Sequence, residues 1–230
     1  MRLRWLGHAA FHIDTQDASL LLDPWITGNP KAPEGALDEV GRVHAILLTH
    51  GHDDHLGDTI ELAKRHDATV VAMFELGEWL AEQGVAKLEL MGFGGSLDIG
   101  GGVRVAMVPA WHSSSVTRQG APIYLGNPAG LVIQAEGKSI YATGDTGLFS
   151  DMALIQRIYR PTVGLIPVGD RFTMGPELAA IACNEFLDLE TIVPIHWGTF
   201  DVLHGDPQEF KRLVKRGEVK ILEPGESIEV

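Results

Sequence analysis

Short apolar runs, many of them rich in β-branched residues, recur along the chain and are often bounded by Gly, Pro, Asp or Asn. Runs of this kind predict strands, and ten of them stand out: RLRWL, SLLLD, AILLT, TVVAM, VRVAMV, GLVIQA, SIYAT, TVGLIPV, TIVPI and VKILE. Other segments carry apolar residues at helical spacing, which predicts helices over 56–66, 75–83, 150–159, 176–187 and 207–215. The chain is therefore expected to be mixed α/β.

The order of these elements favours a layered fold. Hairpin-like strands are followed by strand–helix units, and the same order then occurs a second time. This order predicts an αββα sandwich, in which two mixed β-sheets stack and helices cover their outer faces. Pro207 after Asp206 and Pro176 after Gly175 indicate two helix starts. No linker or low-complexity tract interrupts the chain, so residues 1–230 are expected to form one domain.

Composition narrows the classes of protein to consider. The chain has 230 residues with a formal net charge of −13, and no basic patch is visible, which disfavours a nucleic-acid partner. No apolar stretch approaches the roughly 18 residues of a membrane span, and the start lacks the apolar core of a secretory signal. A cytoplasmic location without membrane association is expected. The single cysteine, Cys183, rules out an intrachain disulfide and is expected in the core.

The densest polar cluster is the segment THGHDDHLGD, which places His50, His52, Asp54 and His55 directly after an apolar run. Loops between a strand and a helix are where layered α/β folds gather their binding sites. Two histidines separated by one residue can turn both imidazoles toward one point, and Asp54 with His55 would face a second point nearby. A metal site is therefore predicted, with a solvated polar loop as the alternative.

Three further candidate ligands follow other predicted strands: His112 after VRVAMV, Asp145 after SIYAT and His196 after TIVPI. The first metal would be held by His50, His52 and His112. The second would be held by Asp54, His55 and His196, and the two carboxylate oxygens of Asp145 allow it to bridge both. Nitrogen and oxygen ligands without sulfur suit Zn²⁺, the ion we expect, but they also suit Mn²⁺ or Fe, and ligand softness does not decide among the three.

These residues resemble the metallo-β-lactamase superfamily, from RLRWLGHAAF to at least IHWGTF. The motifs GHAAF, LLLDPWITGNP, THGHDDHLGD and FTMGPELAA are similar to small metal-dependent hydrolases related to ascorbate-6-phosphate lactonase. The resemblance implies the metallo-β-lactamase fold and a hydrolase. The chain departs from the pattern at Arg171, Trp197 and Gly198, where those relatives carry Asn, Tyr and Asn. The resemblance therefore implies the chemistry and leaves the substrate open.

The expected reaction is hydrolysis of a small ester, lactone or phosphorylated metabolite by a hydroxide that bridges two metals. Asp145 is expected to combine bridging with proton acceptance, and Asp54 to orient the hydroxide. Asp23 and Asp58 are candidates for holding the outer nitrogens of the ligand histidines, with turn or helix-start roles as the alternative. The candidate substrate-binding residues are His8, Asn29, Arg171, Thr173 and Thr199. His8 is equally well read as a structural residue of a hairpin turn.

Other functions stay open. A tRNA-processing phosphodiesterase would share the histidine cluster, but the acidic charge and the lack of an RNA-gripping insertion disfavour it. An antibiotic-degrading β-lactamase would normally be exported, and a redox enzyme on this scaffold would usually carry Glu in place of His52 and a flavin domain. A non-catalytic metal-binding protein is the last alternative. The expected partner is a small molecule, anionic if Arg171 points into the pocket, and homo-oligomerisation is left open.

Overall fold

A computed structural model describes residues 1–230. Its strands, in chain order, are β1 (Arg2–Trp5), β2 (Phe11–Asp14), β3 (Ser19–Leu22), β4 (Ala45–Leu47), β5 (Thr69–Met73), β6 (Leu88–Met91), β7 (Ser96–Asp98), β8 (Arg104–Pro109), β9 (Ser115–Arg118), β10 (Ala121–Tyr124), β11 (Ala129–Ala135), β12 (Lys138–Ala142), β13 (Val163–Pro167), β14 (Thr191–Ile195), β15 (Glu218–Val219) and β16 (Ser227–Glu229). Its helices are α1 (Ala36–Glu39), α2 (Asp53–Leu56), α3 (Thr59–His66), α4 (Phe74–Glu82), α5 (Met152–Tyr159), α6 (Pro176–Ile181) and α7 (Pro207–Leu213).

Two seven-stranded sheets and one separate hairpin contain all the strands. The first sheet has the order β16-β1-β2-β3-β4-β5-β6, antiparallel from β16 to β3 and parallel from β3 to β6. The second has the order β15-β14-β13-β12-β11-β8-β7, parallel from β15 to β12 and antiparallel from there to β7. Strands β9 and β10 form the hairpin. The prediction of two mixed sheets is confirmed.

The main core lies between the two sheets, because one cluster of 49 buried residues draws side chains from both. Successive side chains of a strand point to opposite faces, and β11 shows the consequence. Leu131 and Ile133 belong to the core between the sheets, whereas Val132 belongs to a second cluster of 19 buried residues. That second cluster contains residues of α5, α6 and α7, so these helices cover the outer face of the second sheet.

The helix predicted over 56–66 is two helices, α2 and α3, that break at Gly57. Gly57 has φ +41°, and a Cβ there would lie 2.3 Å from the Cα of Trp25. The chain must turn at this point so that the loop after β3 can pack against it, and only a glycine leaves the space. The break separates Asp54 and His55 from the longer helix that follows.

The other predicted helices are present, with ends that shift by at most two residues, except that 176–187 finishes in a π-helical turn over Ala182–Phe186. Asp206 caps α7 by accepting a hydrogen bond from the amide of Gln208 at 2.8 Å. Cys183 is buried, as predicted, and burial raises the pKa of its thiol to about 12.

The strand predicted for VKILE was wrong beyond Val219, because the chain leaves the second sheet there and Leu222 packs into the core between the sheets. Strands β2, β6, β7, β9, β10 and β16 were not predicted. No helix combines the length and the hydropathy that a membrane crossing requires.

Candidate metal centre

One edge of the sandwich collects the polar side chains of the site. Strands β4, β8, β12 and β14 end shortly before His50, His112, Asp145 and His196. The pairing directions bring the carboxyl ends of these strands to a common edge of each sheet, since β8 and β12 both run antiparallel to β11, and β13 and β14 run parallel to β12. Residues that are far apart in sequence therefore meet in space.

Three ring nitrogens form the first group of candidate ligands. His50 Nε2 lies 2.9 Å from His52 Nδ1, and His112 Nε2 lies 3.3 Å from the same atom. Burial lowers the pKa of all three histidines, that of His50 most strongly, and neighbouring histidines lower it further. Neutral imidazoles are the form that binds a metal, so this group has the required protonation state.

The second group brings together Asp54, His55 and His196, the residues expected at the second position, with His8. The ligand atoms of these four residues all lie within 4.8 Å of one another. His8 Nε2 is 3.2 Å from Asp54 Oδ2. Burial lowers the pKa of His8 to about 4, with a further contribution from His196, while Asp54 has a pKa well below its usual value because His8 and His55 outweigh the effect of burial.

Asp145 lies between the two groups and is almost completely buried. Its Oδ2 atom lies 2.9 Å from His196 Nε2, 3.3 Å from His55 Nε2 and 3.6 Å from His112 Nε2. One carboxylate oxygen thus contacts residues of both groups. Burial alone would raise the pKa of this carboxyl, but His196 and His55 hold it well below its usual value. Asp145 is therefore a carboxylate at neutral pH, the form that can bind a metal ion.

The pKa of His55 shows that the site favours a positive charge. Burial disfavours its protonated form, yet the carboxylates of Asp145 and Asp23 together raise its pKa well above the usual value. The two carboxylates thus favour a positive charge at this position, whether it comes from a proton or from a metal ion.

The outer nitrogens of two candidate ligands, His55 and His50, are connected to Asp23 by hydrogen bonds. Its Oδ2 atom accepts hydrogen bonds from His55 Nδ1 at 2.8 Å and from the Thr49 hydroxyl at 2.6 Å, and its Oδ1 accepts from the Thr49 amide at 2.8 Å. Since the Thr49 hydroxyl donates its proton to Asp23, its oxygen accepts from His50 Nδ1 at 3.0 Å. Asp23 therefore directs Nε2 of both His50 and His55 toward the centre, as expected of a carboxylate behind ligand histidines.

Asp58, the other candidate for that role, does something different. Its Oδ2 atom accepts hydrogen bonds from the amides of Ile26 and Thr27, both at 2.8 Å. It contacts no ligand histidine through a hydrogen bond and instead anchors the loop that follows β3. The prediction that Asp58 holds a ligand histidine was wrong, because the break at Gly57 turns Asp58 away from the imidazoles and toward this loop.

A pocket of about 360 Å³ opens above the two groups. None of the five predicted substrate-binding residues lines it; its lining residues are His52, Asp54, His112, Ser113, Asp145, Phe172, His196 and Phe200. His8 and Thr199 are buried beneath it and bond each other, with Nδ1 and Oγ1 2.9 Å apart. Among the residues that sequence reasoning missed, Ser113 Oγ lies 3.4 Å from His52 Nε2.

The remaining three predicted substrate residues have other contacts. The side-chain amide of Asn29 donates to the carbonyl of Trp25 at 3.1 Å, and its oxygen accepts from the amide of Lys31 at 2.9 Å. The hydroxyl of Thr173 donates to the carbonyl of Met174. Arg171 is exposed and places its guanidinium 5.4 Å from the centre of the Phe172 ring. In this arrangement these side chains support loops or the rim and do not line the pocket.

The backbone carries a signal that the sequence pattern did not reveal. His8, Asp23 and His196 all have positive φ, at 55°, 42° and 59°. Non-glycine residues rarely adopt this conformation, and where they do they concentrate at functional sites. Space for His196 comes from Gly169, where a Cβ would lie only 1.9 Å from the His196 carbonyl oxygen. A glycine in the loop after a strand was the signal that could have indicated this close approach.

The donor set fits divalent metal ions. Ligand atoms that bind one ion at about 2.0–2.2 Å lie about 3–3.5 Å apart, and most of the separations given above fall close to this range. Buried polar atoms normally have hydrogen-bond partners, yet His8 Nε2, His55 Nε2, His196 Nδ1 and Asp145 Oδ1 have none. A metal ion could bind His8 Nε2 and His55 Nε2, which lie beside the carboxylates of Asp54 and Asp145. The His and Asp residues of this cluster could thus bind metal.

Comparison with known proteins agrees with this geometry. Residues 18–197 match the family described as the beta-lactamase superfamily domain. A UPF0173 metal-dependent hydrolase of Methanopyrus kandleri is 46% identical over the whole of both chains. Among solved structures, the metallo hydrolase Igni18 of the archaeon Ignicoccus hospitalis is 34% identical with a TM-score of 0.87, covering 99% of this chain and 97% of that one. An isothiocyanate hydrolase from Delia radicum gut bacteria has a TM-score of 0.77 at 18% identity, covering 100% and 99%, and shares the fold.

Proposed function

The chain belongs to the metallo-β-lactamase superfamily as one of its metal-dependent hydrolases, and we propose that it uses two divalent ions to hydrolyse a small, uncharged ester or lactone. The observation that carries this proposal is the position of Asp145, whose Oδ2 atom contacts histidines of both ligand groups. Zn²⁺ is the preferred ion for this nitrogen and oxygen donor set, and Mn²⁺ and Fe are the alternatives.

His50, His52 and His112 would hold one ion, Asp54, His55 and His196 the other, and Asp145 both. When bound, the ions supply an activated water and a Lewis acid for the carbonyl of the substrate. Asp54 lines the pocket, and its lowered pKa keeps it ionised. An efficient general base has a pKa near the working pH, so Asp54 and Asp145 serve better as hydrogen-bond acceptors that orient the attacking water than as stores for its proton.

The lining of the pocket favours an uncharged substrate. It contains no Lys or Arg, and the exposed rings of Phe172 and Phe200 form part of its wall. A phosphorylated or carboxylated substrate would find no fixed cation in the pocket wall other than the metal ions themselves. Arg171 lies against Phe172 and is not among the lining residues. The anionic metabolite expected on the basis of Arg171 is therefore the weaker candidate.

A second, more open depression adjoins the pocket at His112. It has a volume of about 500 Å³, and its wall includes Phe93, Pro109 and the largely exposed Trp111. Apolar walls with a few convergent polar groups are typical of small-molecule sites. The depression supports a substrate that carries an apolar substituent next to the bond to be cleaved.

The proposal is tested with p-nitrophenyl acetate and butyrate, compared with p-nitrophenyl phosphate and bis-p-nitrophenyl phosphate. We expect the esters to be hydrolysed, hydrolysis to stop on chelation and to return with Zn²⁺ or Mn²⁺. Asp145→Asn should abolish turnover while circular dichroism shows a folded chain. His44→Gln is the matched control, because His44 is exposed and precedes the amino end of β4, at the opposite edge of the sheet.

Two results would contradict the proposal. Ester hydrolysis that persists in the presence of chelator would exclude a metal-dependent reaction. Faster turnover of the phosphate substrates than of the esters would exclude the uncharged substrate class. A chain that binds metal with high affinity but hydrolyses none of the four compounds would favour the non-catalytic metal-binding alternative.

A further inference from the structure

We infer that His8 is a metal ligand in addition to the seven, so that the two metal positions differ in affinity. The group of His8, Asp54, His55 and His196, which we call the buried position, offers four candidate ligand atoms, whereas the group of His50, His52 and His112 offers three. A third group, His50, His55 and Asp145, joins the two. The buried position therefore fills first, and the other is the one whose coordination stays open to water and substrate. This inference rests on the proposed two-metal function and assigns a different role to each position.

The fold brings His8 to the site by the same route as the other ligands. Strand β1 pairs antiparallel with β2, which pairs antiparallel with β3, so β1 and β3 end at the same edge of the sheet. His8 comes three residues after the end of β1, as Asp23 comes one residue after the end of β3. Its side chain is fully buried, in a ring contact with His196 at 4.0 Å and with His55 at 5.6 Å between centroids.

The hydrogen bonds of His8 leave its inner nitrogen free to bind an ion. The oxygen of the Thr199 hydroxyl lies 2.9 Å from Nδ1 of His8 and 3.4 Å from the carbonyl of Trp197, so the hydroxyl can donate to that carbonyl and accept from Nδ1. Nε2 then carries the lone pair. This atom lies 3.2 Å from Asp54 Oδ2, and it has no further hydrogen-bond partner. A buried nitrogen lone pair that faces a carboxylate oxygen is costly, and a metal ion bound between the two atoms would remove this cost.

The backbone of His8 is held in place on two sides. Its carbonyl accepts hydrogen bonds from Trp5 Nε1 and from the amide of His196, both at 3.0 Å. Its φ of 55° is in the left-handed region, which is unfavourable for a non-glycine residue. Such a conformation persists only where the surrounding structure enforces it, and here it aims the imidazole at the cluster.

The two positions also differ in charge and exposure. Apart from the shared Asp145, the buried position includes the carboxylate of Asp54, while the other has only neutral imidazoles. At the buried position His8 and His55 are 0% exposed, His196 is 3% exposed and Asp54 is 28% exposed. At the other position His50 is buried, whereas His52 and His112 are half-buried. More ligands, an added negative charge and a preorganised shell all favour tighter binding at the buried position.

The experiment titrates the metal-free full-length chain with Co²⁺ alone, followed by calorimetry and by the visible d–d absorption of the bound ion. We expect two binding events in the wild type. His8→Ala should weaken the tighter event at least about tenfold and change its spectrum, while His52→Ala should weaken the other event and leave the tighter one. His12→Gln is the control, because His12 is a buried histidine on β2 that bonds Ser19 and lies outside the cluster.

A second variant keeps the inference testable if His8→Ala misfolds. Thr199→Val keeps the imidazole and removes the acceptor of its Nδ1 proton, and it should weaken the same event about 10–100-fold. Wild-type affinities and spectra in both His8→Ala and Thr199→Val would overturn the inference, as would loss of the weaker event instead of the tighter one. If either of these results is found together with metal-dependent ester hydrolysis, the inference about His8 fails and the proposed function stands. If the expected Co²⁺ pattern is found without ester hydrolysis, the inference stands and the proposed function fails.

Discussion

Replacing Asp23 by Asn should weaken metal binding at both positions, because a single carboxylate supports a ligand of each group. Asp23 accepts directly from His55 Nδ1 at 2.8 Å and, through the Thr49 hydroxyl at 2.6 Å, supports His50. It also accepts from the Thr49 amide at 2.8 Å. All the groups that face Asp23 are thus donors, and the carboxylate is almost completely buried.

The expected loss of metal affinity follows from these hydrogen bonds. An Asn side chain offers one oxygen and one amide nitrogen, so whichever way it turns, its NH₂ group faces at least one of the donors. A buried donor left without an acceptor costs about 1–3 kcal/mol. Mutating a residue behind a metal ligand typically lowers affinity 10–100-fold, or about 1.4–2.7 kcal/mol. The two figures agree, so Asp23→Asn should weaken each binding event by about 10–100-fold.

The assay is competition for Zn²⁺ against a chromophoric chelator, together with thermal unfolding in excess chelator to measure the cost to the metal-free fold. Thr49→Val should affect only the event that involves His50, because it interrupts one of the two connections. Asp58→Asn is the matched control: an Asn oxygen still accepts from the amides of Ile26 and Thr27, so metal affinity should not change. Wild-type Zn²⁺ affinity in Asp23→Asn would refute the reasoning.

Two further predictions concern the pocket wall and the helix break. Phe200→Ala should raise KM for p-nitrophenyl butyrate about fivefold and leave kcat nearly unchanged, because the loss of contact with a partly exposed ring costs about 1 kcal/mol. A fall in kcat with no change in KM would contradict contact between Phe200 and the substrate. Gly57→Ala should lower the free energy of unfolding in urea by about 1–3 kcal/mol, because its Cβ would overlap Trp25. Gly92→Ala, where a Cβ meets nothing within 4 Å, should have much less effect.

The seven candidate ligands could be identified from the sequence because each is a residue type that binds metal and each follows an apolar run. His50 and His52 also have a spacing that places two imidazoles at one point. What the sequence could not reveal was the direction of each strand in its sheet. His8 follows a strand as His112 does, but its membership in the cluster depends on β1 and β3 running the same way.

Short-range turns explain the other differences between expectation and structure. Asp58 follows Gly57, and a φ of +41° at the glycine redirects the chain so that Asp58 bonds Ile26 and Thr27 and no imidazole. Periodicity alone cannot detect such a break, since the apolar spacing continues through it. Thr49 was missed for a related reason: its role depends on the direction of one hydroxyl proton, which is fixed only by the position of Asp23.

The candidate ligands come from both halves of the sandwich, which gives the strained residues a common explanation. His8 and the segment 50–55 follow strands of the first sheet, whereas His112, Asp145 and His196 follow strands of the second. Positive φ at His8 and His196 costs about 1–2 kcal/mol each, and the apolar core between the sheets supplies the stability that offsets it. Each residue then reaches across the gap, where the amide of His196 donates to the carbonyl of His8 at 3.0 Å. The strained residues thus lie where loops from the two sheets converge on the cluster around Asp145, and metal ions bound there would link the two sheets.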